Sequence, residues 1–360
     1  MHEREGKRHR RVGRAAGHAR SVREVRRSAA GAGARSAARR PVLGSGMWGQ
    51  GKASRARGLL EEGQALERQG RVGDALAAYA AASEVAPRWD LPHRAIGQAA
   101  LAAGSVRVAR DAFNRALALD PGSAAGYLGR SRALRGCRSF RAALADLGRA
   151  LELAPREARA RFSNEVEQLE FLVLLQEAPP PRAPAALDLA TADARRLDEL
   201  IRALDLGQVR TAGRGMRALL DRYPGHPKLL AHRALAHLAL GSIAEAVDDC
   251  VSAAAGSLAE PLVRQARGEV FLALRDPEGA LRELSESIDT GGDGVRCRIA
   301  RARALLERGD LAATRTDLEW VLERSPDHAA ALACAEEVRR AAGREERDAR
   351  PRAGATGAPP

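Results

Sequence analysis

Residues that could carry chemistry are few in this chain, and each stands in a context that argues against a reaction. Gly46 to Lys52 reads Gly-Met-Trp-Gly-Gln-Gly-Lys, the spacing at which a glycine-rich loop cradles phosphate and a lysine meets its charge. Ala53 stands where a hydroxyl would hold magnesium, and only Val42 and Leu43 precede the loop where a strand is required. No acidic partner on a strand follows, so a nucleotide site is not expected. Lys7-Arg8-His9-Arg10-Arg11 is a basic cluster of the kind that meets nucleic acid or nuclear import receptors. The alternative is a solvated arm, or sequence upstream of a start at Met47.

His232 and His237 are five residues apart, whereas two metal ligands on one helix face need a spacing of three or four. Packing is the better explanation. Asp289 and Asp293 flank Thr290-Gly291-Gly292, which reads as a turn. Cys137, Cys250, Cys297 and Cys334 are single, with no Cys-x-x-Cys pair, so neither a disulfide framework nor a zinc site is supported and a reducing compartment fits. No nucleophile, base and orienting group stand at spacings that a fold would bring together. The sequence therefore predicts no catalysis, no cofactor and no metal.

What positions these residues is a repeat. Pro87, Pro121 and Pro155 recur every 34 residues, as do Ala75, Ala109 and Ala143. The same period returns in Ala212, Ala246 and Ala280, shifted by one residue because Ala143 to Ala212 is 69 rather than 68. Each period divides into two helical stretches separated by a turn glycine such as Gly70 or Gly104. Alanine, leucine and arginine dominate and favour helix, so an all-α chain is expected.

In the first unit Leu59, Gly63, Leu66, Gly70, Ala75, Tyr79, Ala82 and Pro87 stand where the second has His93, Gly97, Ala100, Gly104, Ala109, Phe113, Ala116 and Pro121. The third has Tyr127, Ser131, Leu134, Arg138, Ala143, Leu147, Ala150 and Pro155. This pattern resembles the tetratricopeptide repeat. The resemblance implies an α-solenoid of 34-residue helix hairpins, in which small residues sit where two helices cross and Tyr79, Phe113 and Leu147 fill the gap. The family's usual tryptophan is replaced by Leu59, His93 and Tyr127, so the hairpins should be lightly packed.

The expected domain order follows. Residues 1–55 form a disordered Arg-rich arm, because residues 1–46 hold 13 Arg or Lys against 3 Glu and almost no large apolar surface. Residues 56–177 form a first array of three repeats and one broken repeat; 178–192 are a proline-rich interruption, since Ala178 to Pro184 reads Ala-Pro-Pro-Pro-Arg-Ala-Pro where a second helix should form. Residues 193–342 form a second array of four repeats, starting near Asp193, Pro227, Pro261 and Val295, with a capping helix from about Ala329; 343–360 are a disordered tail. Asp276-Pro277-Glu278 reads as a helix entry with Asp276 as its cap. The apolar run Phe171-Leu172-Val173-Leu174-Leu175 is either buried against neighbouring units or an exposed docking patch.

The chain's net charge of +13 belongs mostly to the arm, leaving 46 basic against 43 acidic residues elsewhere. Lys7, Lys52 and Lys228 are the only lysines, a bias that fits a GC-rich gene better than selection for guanidinium chemistry, so the arginine excess is discounted. No apolar run is long enough to span a membrane and no secretory apolar stretch leads the chain, so a soluble cytoplasmic protein is expected, or a nuclear one through the cluster near Lys7.

By the resemblance, the first helix of each hairpin lines the face on which partner peptides lie. The first array would present Arg57, Gln64, Arg94, Gln98, Arg132 and Arg135, and the second Leu197, Ile201, Leu204, Leu235, Leu238 and Leu262, with Gln265, Glu269 and Arg303. Partner-binding residues are expected to be Arg94, Gln98, Arg132, Arg135, Leu197, Ile201, Leu235 and Leu238, meeting a protein or peptide with acidic and apolar stretches. Solvated arginines and inter-repeat leucine packing are the plainer alternatives. The function expected is a non-enzymatic adaptor; the alternative is a nucleic-acid-associated regulator using the basic arm.

Overall fold

The computed structural model of the chain describes residues 50–155, 159, 162–177, 189–292 and 294–349. The readings placed on residues 1–49, on 178–188, on Asp293 and on the tail from 350 lie outside the described residues. All regular elements among the described residues are helical, and the α-helices number sixteen. The chain is an α-solenoid of helix hairpins. It divides into two compact units between Glu170 and Phe171.

The first unit is built of α1 (Gln50–Arg68) with α2 (Val72–Val85), α3 (Asp90–Ala102) with α4 (Val106–Leu119), and α5 (Ala124–Gly136) with α6 (Phe140–Leu153). In each hairpin the two helices pack together, and the second packs on the first helix of the next hairpin. Helix α7 (Ser163–Gln176) contains the division point.

The second unit repeats the plan in α8 (Thr191–Asp205) with α9 (Val209–Arg222), α10 (Pro227–Ala239) with α11 (Ile243–Ser257), α12 (Pro261–Ala273) with α13 (Pro277–Asp289), and α14 (Gly294–Arg308) with α15 (Leu311–Arg324). Helix α16 (Ala329–Ala349) packs on the last hairpin. Helix α13 begins as its sequence requires: the Asp276 carboxylate accepts a hydrogen bond from the Gly279 N–H at 3.2 Å, with Pro277 in the first turn.

The two helical ends differ from expectation. Helix α1 starts at Gln50 rather than 56, and α16 runs to Ala349 rather than stopping at 342. The physical reason is that Gly51, Gly58 and Gly343 each cost only about 1 kcal/mol in a helix and do not stop one.

The turn inside each hairpin needs a left-handed residue. Gly70, Gly104, Gly207, Gly241 and Gly309 adopt φ of 77°, 71°, 76°, 74° and 83° there. Arg138 and Arg275 take the same turn at φ 58° without the freedom of glycine. The Arg138 guanidinium lies 5.2 Å over the Phe140 ring.

Close approach of the paired helices rests on small residues. Ala75, Ala109, Ala143, Ala212, Ala246 and Ala280 are completely buried. Tyr79, Phe113 and Leu147 fill the space between helices and are buried with them. A Cβ on Gly97 would lie 2.7 Å from the Phe113 ring, so only glycine fits there without movement. The Tyr79 hydroxyl donates to Glu67 Oε2 at 2.9 Å, and burial together with that carboxylate pushes the phenol up to about 12. Leu59, His93 and Tyr127, where the resemblance would place tryptophan, stay half-buried.

For the run Phe171–Leu175 burial holds. Leu172 and Leu175 are fully buried and Val173 nearly so, with Phe171 and Leu174 half-buried.

Candidate partner-binding groove

The residues singled out for binding fall differently in the two units. In the first, Gln98 and Arg132 are exposed on α3 and α5, while Arg94 and Arg135 are half-buried. Arg94 pairs with Asp90 one turn earlier at 2.9 Å, and Arg132 pairs with Glu165 at 3.1 Å. These arginines are therefore already engaged by the chain's own carboxylates.

In the second unit the first helices of successive hairpins line a groove of about 930 Å³. Leu204, Leu235, Leu238, Leu272 and Ile299 give it apolar walls, since these residues recur on one face of α8, α10, α12 and α14. Leu235 is nearly buried and Leu238 half-buried, so the first is mostly packing and the second presents surface. Leu197 is buried in α8 and Ile201 half-buried, and neither lines this groove.

Charged groups stand among the leucines. Asp205 pairs with Arg296 at 3.1 Å, and Arg275 with Glu307 at 2.9 Å. Glu269 accepts from Gln265 at 3.1 Å. Arg303 is exposed in the groove, and its guanidinium has no ion pair among the described residues. A groove of mixed charged and apolar lining, in which Arg303 has no ion pair among the described residues, suits a segment that brings a carboxylate beside apolar side chains.

A second set of functional-looking side chains proves structural. Arg130, Arg233, Arg267 and Arg301 each reach a carboxylate sixteen residues later in the same hairpin. Arg130 Nε donates to Asp146 at 2.6 Å, Arg233 Nε to Asp249 at 2.8 Å, Arg267 Nη2 to Glu283 at 3.1 Å, and Arg301 Nε to Asp317 at 2.7 Å. The four acids are buried. Part of the arginine excess is therefore structural, because these four side chains tie first helix to second helix. The signal was in the sequence as an Arg and an acid sixteen apart, recurring with the repeat.

The remaining candidates for chemistry lie in packing. Lys52 is exposed in the first turn of α1, and no strand occurs among the described residues. His232 is buried, and burial, with repulsion from Arg296 and Lys228, lowers its imidazole to about 4. Burial pushes the Cys250 thiol up, away from the thiolate that reacts or binds metal. Among the described residues no cluster of His, Cys, Asp or Glu could hold a metal ion. Asp289 ends α13 ahead of a turn through Gly291 at φ 87°.

The tetratricopeptide repeat family model matches residues 60–124, 94–136 and 197–260. No curated protein sequence matches the chain. Among solved structures, the chain is similar to the TPR domain of P58(IPK), at 20% identity over 81% of this chain and 79% of that one, with a TM-score of 0.31. It is similar to yeast Tom70 at 15% identity over 81% and 77%, with a TM-score of 0.33, and to the yeast Sti1 TPR2AB domain in its pHSP90 complex at 14% over 70% and 99%, with 0.31. No reading of this chain's partner rests on these loose overlays. The hairpin period, the small residues where helices cross and the family match in both units together show that residues 60–136 and 197–260 are tetratricopeptide repeats.

Proposed function

We propose that the chain is a non-enzymatic adaptor that holds a segment of a protein partner in the groove of its second unit. The observation that carries this is the groove of about 930 Å³ where Leu238 and Leu272 stand among charged side chains and Arg303 has no ion pair among the described residues. The partner segment supplies apolar side chains to Leu238 and Leu272 and a carboxylate to Arg303. Tetratricopeptide repeats commonly mediate protein–protein interactions, which agrees with this reading. Gln98 and Arg132 of the first unit are exposed and polar, and Arg132 must leave Glu165 before it can meet a partner. Four free cysteines suit a reducing compartment such as the cytoplasm. No described helix is long and apolar enough to cross a membrane.

The test is photo-crosslinking in living cells with benzoylphenylalanine placed at Leu238, and at exposed Val108 as a control. The reading expects one protein partner captured from Leu238, lost on Arg303→Glu and kept when residues 1–46 are deleted. Capture that depends on the arm and not on Arg303 would favour nucleic-acid-associated regulation instead.

A further inference from the structure

We propose that the last turn of α7, Phe171–Gln176, is a self-ligand held in a socket on α12, and that Arg267 is the group that holds it. Three features of the second unit converge on this. The first is a vacancy in the ladder of arginines. Arg130 and Arg301 donate their remaining guanidinium N–H to the residue sixteen positions earlier, Asn114 at 3.0 Å and Ser285 at 3.2 Å. The corresponding residues for Arg233 and Arg267 are Arg217 and Val251, whose side chains accept nothing, and of these two arginines Arg267 is the buried one.

The second feature is a partner of Arg267 outside its own hairpin. Its Nη2 donates to the carbonyl oxygen of Leu175 at 3.2 Å, a group 92 residues away in sequence. Leu175 lies in the final turn of α7, where carbonyls lack intrahelical partners and the helix dipole ends negative. A cation there satisfies both. Leu172 and Leu175, fully buried, and Val173, nearly so, supply apolar anchors beside it.

The third feature is burial. The Arg267 side chain is 6% exposed, against 25%, 22% and 22% for Arg130, Arg233 and Arg301. Its Nε and Nη1 have no hydrogen-bond partner among the described residues. A guanidinium so buried and so incompletely used gains solvation when the helix end leaves, which makes the docking reversible rather than permanent. The socket therefore fits an apolar helix ending in free carbonyls. None of Phe171–Gln176 lines the groove described above, so this inference stands apart from the adaptor reading.

The test uses the full chain. Arg267→Met with Glu283→Leu removes the cation and its buried carboxylate together, so the Leu175 carbonyl loses its donor and no buried charge is stranded. Hydrogen exchange of the amides from Val173 to Glu177 should then speed by about tenfold or more, with α10 and α11 unchanged. A fluorescent peptide of residues 163–177 should bind the Leu172→Asp chain at least about tenfold more tightly than the wild-type chain, because the variant's socket is vacant. Unchanged exchange in the Arg267→Met, Glu283→Leu chain, faster exchange throughout α10 and α11, or equal peptide affinity for the Leu172→Asp and wild-type chains would each overturn the proposal.

Discussion

His232 shows how a single residue's surroundings override its usual chemistry. Its ordinary pKa of about 6.5 falls to about 4 on burial beside Arg296 and Lys228. Between those values the unfolded chain binds a proton that the folded chain refuses, so stability is lost as pH falls through this window. At pH 5 the loss from this one group is about 2 kcal/mol relative to pH 7. Urea unfolding of His232→Gln should therefore show a shallower decline between pH 7 and pH 5 than the wild type, and equal slopes would mean that His232 is hydrated in the folded state. His93, lowered by burial and Arg115, adds a slope of the same sign that the variant retains. The packing role of His232 was legible from its five-residue offset to His237, and Tyr79, Phe113 and Leu147 were legible from their place in the period. The second partner of Arg267 was not, because it is a backbone carbonyl 92 residues away and carries no residue type to recognise.

At the scale of the helix hairpin, small residues permit close packing and arginine–acid pairs fix it. Asp317 is buried and receives hydrogen bonds from Arg298 at 2.8 Å and Arg301 at 2.7 Å. Arg298 and Arg324 also lie 4.3 and 3.9 Å from the Trp320 ring, packing the outer side of the last hairpin. Replacing one member of a buried pair strands the other, at about 3–5 kcal/mol. Asp317→Ala should therefore lower the urea midpoint of the second unit sharply, whereas Arg301→Leu with Asp317→Leu should recover most of the loss. A double variant no more stable than the single would show that the pair stabilises beyond mutual neutralisation. Hairpin boundaries were readable to within a few residues because proline, glycine and N-cap aspartate are punctuation with a mechanism. Helix ends without such punctuation, at Gln50 and Ala349, were read short.

At the scale of the whole molecule, the chain is two repeat units whose sequence registers differ by one residue. The division falls inside α7, ahead of the prolines rather than at them, because the buried end of that helix belongs with the second unit. Pro179, Pro180, Pro181 and Pro184 remove N–H donors and clash with a continuing helix. Brief protease treatment should cut within residues 177–187 and leave two protected fragments, and a single protected core across that stretch would contradict the division. The period alone made the architecture legible; the groove was less so. Of the eight residues expected to bind, Leu235 and Leu238 line the trough, Arg94 and Arg132 are tied to carboxylates, and Leu197 is core. Face assignments on a helix cannot distinguish a leucine that packs on the next hairpin from one that stays open, because both lie on the same stripe.

The most direct test of the adaptor account is a peptide-library selection against the full chain, followed by titration of the selected peptide against wild type, Leu238→Asp and Arg303→Glu. The account predicts peptides that combine apolar side chains with a carboxylate. Each variant, checked as folded by circular dichroism, should weaken binding by about tenfold or more, Leu238→Asp through faster dissociation and Arg303→Glu partly through slower association. Peptides lacking a carboxylate, or bound equally by all three folded chains, would contradict it.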